Sequence, residues 1–322
     1  MNIVVIGLGS MGKRRIRLMR ELYPKMTIYG VDRRNDRRKE TEAIFGIESF
    51  ASIEAINKDV DCAFVCTSPL SHSSIIRECL TRKWHTFTEL NLVADGYCEN
   101  MELAKKNSCH LFLSSTFYYR EEIKYIQSQV QVGEKWNYMY HIGQYLPDWH
   151  PWENYSDFFV GDKRTNGCRE IFAIELPWLT GAFGGIKEIH TISGKMSGLN
   201  IAYDDNFLVQ LIHENGCKGI LAVDVVSPYA ARRFEAYTEG KYMIWNGTPD
   251  SLTIYDAQTQ SLIPVVLTEE TEHREGYAGF VVENAYKNEI KEFFAVVRQE
   301  KTPIYGFEQD REILELINRI GA

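Results

Sequence analysis

Three glycines, Gly7, Gly9 and Gly12, punctuate the run Val4-Val5-Ile6-Gly7-Leu8-Gly9-Ser10-Met11-Gly12 and constrain this chain more than any other feature. Residues 2–6 before them are mostly apolar and β-branched, as a buried strand requires. After them Ile16, Met19 and Leu22 recur at helical spacing. A glycine-rich turn from strand into helix aims backbone N–H groups and the positive end of a helix at an anion. The first glycine permits the tight turn, the second lets a pyrophosphate approach the backbone, and the third lets helix and strand pack closely. A second strand-like run, 26–31, ends at Asp32, about the spacing at which an acid bonds the ribose of an adenine dinucleotide. Gly7, Gly9, Ser10, Met11, Gly12 and Asp32 therefore read as a dinucleotide site. An acid at this place favours NAD; Arg33 and Arg34 beside it either accommodate the extra phosphate of NADP or form a solvated turn.

The first third of the chain repeats the pattern. Strand-like runs at 62–66, 86–89 and 110–114 join the first two, and helix-like runs lie at 12–22, 34–45, 52–57, 73–81 and 98–106. Such alternation with short loops predicts a parallel, doubly wound α/β sheet with ligands beyond the carboxyl ends of its strands. Gly9, Asp32, the loop Thr67 to His72 and the loop Glu89 to Asn91 all fall there.

After about Phe117 the pattern changes. A helix is expected over 120–130, a long strand over 135–144, an aromatic loop over 145–165 and a helical stretch over 169–183. Seven strand-like runs follow with no helix between them, at 187–193, 206–214, 218–226, 232–238, 242–245, 252–255 and 262–267. Turn signals such as Asn215-Gly216, Glu239-Gly240 and Asn246-Gly247 separate several of them, which indicates an antiparallel sheet. Amphipathic helices over 278–299 and 308–320 close the chain, and Phe293 and Phe294 in the first of them read as core. The expected organisation is an α/β domain over 1–117 and an α+β domain with a large, mostly antiparallel sheet over 118–322.

A chain of 322 residues can build two cores. Its net charge of -8 argues against wholesale binding to nucleic acid or anionic membranes. No apolar stretch approaches a bilayer span, and the chain opens directly on a strand rather than on a secretory leader. Seven scattered cysteines without a Cys-x-x-Cys pair suggest reduced thiols in a cytoplasmic setting, not a disulfide framework or a zinc site.

The glycine loop, Thr67-Ser68-Pro69 followed by His72, the run from His85 to Glu89 and the segment from Asn166 to Gly184 together resemble the glucose-fructose oxidoreductase/inositol dehydrogenase (Gfo/Idh/MocA) family, over essentially the whole chain. The resemblance implies a Rossmann domain followed by a sheet domain, a nicotinamide cofactor, and oxidation or reduction of a sugar, sugar nucleotide or cyclitol. It implies that Thr67, Ser68, Pro69 and His72 pass beside the cofactor and that Glu89 and Asn91 lie at the nicotinamide pocket. Two departures accompany the matches. Where the family carries Glu-Lys-Pro, its lysine assisting proton transfer, this chain has Glu89-Leu90-Asn91. Where the family carries Asp and His four residues apart on one helical face, this chain has Glu170 and Ile174. Leucine and isoleucine transfer no protons, so other groups must supply acid and base.

The candidates are Glu170, which retains a carboxylate at the family position, and His150, the best remaining imidazole. His150 lies in a loop, Tyr145 to Tyr155, whose Trp149, Trp152, Asp148 and Glu153 suit a small polar ligand, unless its aromatics pack on one another or on another subunit. Arg169 has the planar fork to orient an anionic substrate, or else forms a surface pair with Glu170. Pro177 is expected to kink or restart the helix that carries them. Lys13, Arg14 and Arg15 read as a solvated cationic face, with a phosphate role as the alternative.

These readings favour an NAD-dependent oxidoreductase of a sugar-type small molecule, with Glu170, His150 and Arg169 as its catalytic set. The alternatives are a dinucleotide-binding sensor without redox turnover, motivated by the loss of both lysine and histidine, and transient oxidation in the service of elimination or hydrolysis. A large sheet must bury its outer face, so a homodimer or homotetramer through the C-terminal sheet is expected.

Overall fold

The computed structural model describes residues 1–151, 153–267 and 282–322. In chain order its first part comprises β1 (Asn2–Ile6), α1 (Ser10–Leu22), β2 (Thr27–Val31), α2 (Asn35–Phe45), β3 (Glu48–Phe50), β4 (Cys62–Val65), α3 (His72–Thr81), β5 (His85–Thr88), α4 (Tyr97–Lys106) and β6 (Leu111–Leu113). There follow α5 (Glu121–Gln129), β7 (Asn137–Gly143), α6 (Gly167–Phe183), β8 (Ile186–Gly194), β9 (Asn206–His213), β10 (Lys218–Asp224), β11 (Ala231–Thr238), β12 (Lys241–Trp245), β13 (Thr253–Asp256), β14 (Ser261–Pro264), α7 (Glu283–Val297) and α8 (Phe307–Ile320). The chain divides into two compact units, one of Met1–Thr116 with Tyr286–Arg311, the other of Phe117–Ala285 with Glu312–Ala322.

The first unit holds a six-stranded, wholly parallel sheet in the order β3-β2-β1-β4-β5-β6. β4 is buried throughout and β1 nearly so, and the apolar runs of both strands make them the centre of the sheet. Strand order reverses between them, which is where a doubly wound sheet binds ligands at its carboxyl edge. The helix expected over 52–57 does not form. Ile53 and Ile56 are both buried, and a single turn closes with Ile56 N–H donating to the Ile53 carbonyl at 3.1 Å. Two apolar residues three apart mimic helical spacing, but six residues cannot offset the cost of nucleation. The strand β3, just before them, carried no signal strong enough to read.

The segment 286–311, assigned from sequence to the second domain, packs in the first unit. Phe293 is fully buried, with its ring centroid 5.2 Å from Phe64 and 5.6 Å from both Phe87 and Phe112. An aromatic pair on an amphipathic helix finds its partners by packing, which a sequence boundary does not show. The helix expected over 278–299 is described from Glu283; residues 278–281 lie outside the described residues.

The second unit holds an eight-stranded sheet in the order β14-β13-β12-β11-β7-β10-β9-β8. All its pairs are antiparallel except β7 with β10. β7, β9 and β10 largely alternate exposed and buried residues, so one face is apolar and covered. α6 supplies aromatic rings to that face: Phe172 lies 5.6 Å from Phe207, Trp178 5.7 Å from Tyr140 and Phe183 4.5 Å from Tyr138. α6 runs without a break through Pro177, so the expected restart does not occur. Packing on both sides holds the helix, and the Pro177 carbonyl accepts from Tyr118 Oη at 2.6 Å.

Phe293→Ala should destabilise the chain by about 3–5 kcal/mol through the cavity it leaves. Urea unfolding monitored by circular dichroism reads this directly; a loss below about 1 kcal/mol would show that the ring is not part of the core.

Candidate functional site

Two of the three loop glycines are demanded by the protein's own packing. Gly7 has φ +94°, and a Cβ there would lie 2.6 Å from the Cys66 carbonyl oxygen. A Cβ on Gly12 would lie 1.9 Å from the Gly7 carbonyl oxygen. Gly9 differs: a Cβ there would meet nothing closer than the Arg37 guanidinium at 3.6 Å. The space over Gly9 is open, and Gly9 is the N-cap of α1 with no side-chain cap. The first-turn N–H groups of a helix have no intrahelical acceptor, so this space suits an anion. Ser10 and Met11 stand at the same helix start. A dinucleotide's diphosphate fits this cradle.

At the end of β2, Asp32 braces two turns. Its Oδ2 accepts from Leu8 N–H at 2.9 Å and its Oδ1 from Arg34 N–H at 2.8 Å. Arg33 is exposed. After β4, Ser71 Oγ donates to Thr67 Oγ1 at 2.8 Å and to the Ser68 carbonyl at 2.7 Å, and Pro69 opens the short turn into α3. His72 is buried: Nε2 donates to the Thr67 carbonyl at 2.8 Å and Nδ1 lies 2.6 Å from Asn91 Oδ1. Burial pushes the His72 pKa down. This ring ties the loop after β4 to the loop after β5.

Glu89 is held from behind. Arg15 Nε donates to Glu89 Oε1 at 2.6 Å and Arg15 Nη2 to Glu89 Oε2 at 3.1 Å. The same Nη2 lies 2.7 Å from Glu289 Oε2, whose other oxygen accepts from Ser114 Oγ at 3.0 Å and Ser115 N–H at 2.8 Å. The solvated face read for residues 13–15 is thereby corrected. Lys13 pairs with Glu40 at 2.5 Å, Arg14 lies over the Tyr286 ring, and Arg15 is 0% exposed. Two buried carboxylates need a buried cation, and the glycines bring α1 close enough to supply it. Burial, reinforced by Glu89, raises the Glu289 pKa.

In the second unit, Asn166 caps α6, its Oδ1 accepting from Arg169 N–H at 2.8 Å. Glu170 follows in the first turn. Its side chain makes no hydrogen bond or ion pair among the described residues, and Oε2 is buried. Burial pushes its pKa up to about 7. The helix N-terminus works the other way, and burial wins. His150 stacks on Phe158 with ring centroids 4.5 Å apart, and its Nδ1 lies 3.8 Å from Glu153 Oε2. Burial pushes its pKa down.

Arg169 is buried, and Nη1 donates to the Ala322 carbonyl oxygen at 2.7 Å. One nitrogen of the fork expected to orient a substrate is thus engaged by the chain itself, as a buried guanidinium requires an acceptor. The surrounding loop is tied down in part by its own aromatics: Trp149 Nε1 donates to the Gln144 carbonyl at 3.2 Å, and Tyr155 Oη accepts from Asn200 N–H at 3.0 Å. Trp152 lies outside the described residues. Glu175 is structural: it accepts from Tyr140 Oη at 2.8 Å, Trp178 Nε1 at 2.7 Å and Arg232 Nε at 2.9 Å. The sequence alone did not show the part played by Arg15, nor that Arg37 lies 3.8 Å from Asp32.

Among the described residues no group of three or more His, Cys, Asp or Glu could hold a metal, and no helix is long and apolar enough to cross a membrane.

Residues 1–114 match the Gfo/Idh/MocA oxidoreductase family, NAD-binding Rossmann fold. No curated protein matches the sequence. Among solved structures, the chain is similar to UDP-N-acetylglucosamine 3-dehydrogenase GnnA from Acidithiobacillus ferrooxidans, at 15% identity and TM-score 0.76, covering 99% of this chain and 96% of that one. It is similar to the WlbA dehydrogenase from Chromobacterium violaceum, solved with NADH and UDP-GlcNAcA, at 14% identity and TM-score 0.76, covering 100% and 92%. It is equally similar to biliverdin reductase from Synechocystis, solved with biliverdin and NADP+, at 15% identity and TM-score 0.76, covering 99% and 98%. At such identities the likeness is one of fold.

Arg15→Met should cost about 3–5 kcal/mol, because it strands two buried carboxylates. Stranded carboxyls have raised pKa values, so the folded variant takes up protons that the unfolded chain does not, and its stability falls as pH rises. The deficit against wild type should therefore shrink between pH 8 and pH 5 in urea titrations, as about two carboxyls become protonated. A pH-independent deficit would refute the assignment.

Proposed function

We propose, from the match of residues 1–114 to the Gfo/Idh/MocA oxidoreductase family, that this chain is a nicotinamide-dependent oxidoreductase acting on a hydroxyl of a sugar, sugar nucleotide or related polyol. The supporting observation is Glu170: half-buried, its carboxyl oxygen Oε2 buried and its side chain without a hydrogen bond or ion pair among the described residues, its pKa pushed up to about 7, at the helix position that resembles the one where the family keeps a carboxylate. A buried carboxyl that no cation neutralises is costly to the fold, and such groups concentrate at sites of chemistry. The UDP-sugar dehydrogenases among its structural relatives support the sugar class; biliverdin reductase shows that the fold alone does not fix it.

When bound, the coenzyme supplies the hydride acceptor or donor. The chain's own groups do the rest. The N–H groups of α1 over Gly9 hold the diphosphate, and the His72–Asn91 contact fixes the two loops beside it. Glu170 removes the hydroxyl proton during oxidation and returns it during reduction, and a pKa near ambient pH lets it do both. His150, partly exposed and stacked on Phe158, is the second proton-handling candidate. Leu90 and Ile174 keep a second reading open, a coenzyme-binding protein without turnover.

If Glu170 is the base, kcat/KM for oxidation rises with pH through about 7, because the carboxylate is the active form, and the reductive direction falls over the same range. Glu170→Gln should lower kcat by about 10²–10⁴-fold and remove that limb. Unchanged turnover in the variant would remove Glu170 from the mechanism. Coenzyme binding by wild type with no absorbance change against any sugar or sugar nucleotide would favour the second reading.

We also propose that the open face of the second sheet pairs with a second copy of the chain. Ile192 (73% exposed) and Leu208 (53% exposed) stand directly opposite on β8 and β9, and Ile220 opposite Met139 on β10 and β7. Lys218 and Glu235 on the same face allow self-complementary pairing about a twofold axis. Leu208→Arg should convert the dimer or tetramer to monomer in sedimentation; a monomeric wild type would overturn the proposal.

A further inference from the structure

Three asparagines are followed by glycine, in Asn166-Gly167, Asn215-Gly216 and Asn246-Gly247. In such a pair the backbone nitrogen of the glycine can attack the side-chain carbonyl carbon of the asparagine, because the glycine has no Cβ to block the approach. The attack needs two freedoms. The side-chain amide must swing toward the following nitrogen, and that nitrogen must give up its proton. A hydrogen bond at either place holds the group back.

The fold removes these freedoms at two of the three sites. Asn166 is 3% exposed and held at both ends of its amide, Oδ1 accepting from Arg169 N–H at 2.8 Å and Nδ2 donating to the Lys163 carbonyl at 3.0 Å. Asn215 is exposed, but its Oδ1 accepts from Cys217 N–H at 3.1 Å and the Gly216 N–H donates to the His213 carbonyl at 3.0 Å. Asn246 is exposed as well, and its side-chain amide has no hydrogen bond among the described residues. Nor has the Gly247 N–H. Backbone conformation does not separate the two exposed sites, since Gly216 and Gly247 both have φ +89°. Tethering does. The chain around Asn246 is meanwhile held in place: Ser251 Oγ accepts from Asn246 N–H at 3.0 Å and Thr248 N–H at 3.2 Å, and the Gly247 carbonyl accepts from buried Arg120 Nη2 at 2.8 Å.

We propose that Asn246 is a site of spontaneous covalent modification, converting to aspartate and isoaspartate while Asn166 and Asn215 persist. The Gly247 nitrogen, its proton lost to hydroxide, bonds to Asn246 Cγ. The Cγ–Nδ2 bond breaks and ammonia leaves, which closes a cyclic imide. Water then opens the ring. Cleavage at Cγ gives aspartate and cleavage at the backbone carbonyl carbon gives isoaspartate, with neither oxidant nor reductant involved. Both products add a negative charge beside Gly247. Isoaspartate also lengthens the main chain by a methylene next to the residue whose carbonyl holds Arg120.

The test follows the full chain at mildly alkaline pH, folded in buffer and unfolded in guanidinium chloride. Peptide mapping by mass spectrometry locates the conversion, and enzymatic carboxyl methylation counts isoaspartate. In the folded chain Asn246 should convert about tenfold or more faster than Asn166 and Asn215, the worth of the one or two hydrogen bonds that each of those must first break. In denaturant the three should convert within about threefold of one another, because the tethers are gone. Asn246→Gln, whose longer side chain closes the imide poorly, should fold as wild type does and lose the isoaspartate of the folded chain. Folded-state conversion of Asn166 or Asn215 within about threefold of Asn246 would overturn the assignment, since hydrogen bonds would then not rank the sites. So would an Asn246 that reacts only after unfolding.

Discussion

Of the glycines in the first unit, Gly12 has the least room: a Cβ there would come within 1.9 Å of the Gly7 carbonyl oxygen. That contact fixes how near α1 lies to β1, and much else follows from it. It turns the free N–H groups of the first helical turn toward the open space over Gly9. It also carries Arg15, one turn further along the same helix, down against the carboxyl edge of the sheet. There its guanidinium lies 4.6 Å from the Phe87 ring centroid and bonds Glu89 and Glu289. One steric limit thus builds both the anion cradle and the buried ion cluster beside it.

Among the described residues, carboxylates removed from water differ in whether the fold gives them a partner. Glu89 and Glu289 share Arg15, and Glu175 has Arg232 together with a tyrosine and a tryptophan. Each is a brace: it joins elements distant in sequence and meets its own electrostatic demand within the fold. Glu170 has no cation and no hydrogen-bond donor among the described residues. Its raised pKa is the direct consequence of burial without a partner. A group that the fold leaves unneutralised is one the fold does not use, and this separates Glu170 from carboxylates that the sequence alone cannot rank.

Periodicity carried the sheets and most helices, because apolar alternation and helical spacing are properties of local sequence. The doubly wound sheet was legible from strand, glycine turn and helix in the first 32 residues, and the second sheet from a run of strands with glycine turns between them. What local pattern could not show was partnership. Arg15 looked like its neighbours Lys13 and Arg14, and nothing nearby in sequence announces Glu289 as its partner, 274 residues away. That Arg169 Nη1 bonds the Ala322 carbonyl was hidden for the same reason. Asp32 was recognised by spacing, but whether its oxygens are free is a matter of which backbone amides fold against it. The 52–57 stretch failed in the opposite sense, since a spacing of three can come from two buried isoleucines in a single turn.

That Leu90 and Ile174 transfer no protons does not by itself remove acid–base chemistry from the proposed site. Proton transfer to and from a hydroxyl needs a group whose two protonation states are both accessible at ambient pH. An ordinary surface glutamate is too acidic for that role, since it is ionised at neutral pH and returns a proton poorly. Burial without a counter-ion among the described residues corrects this, and burial is what raises the Glu170 pKa. The proposed base therefore depends on what is absent around it. A cation placed beside Glu170 would stabilise the fold and, by lowering its pKa, weaken it as a proton carrier.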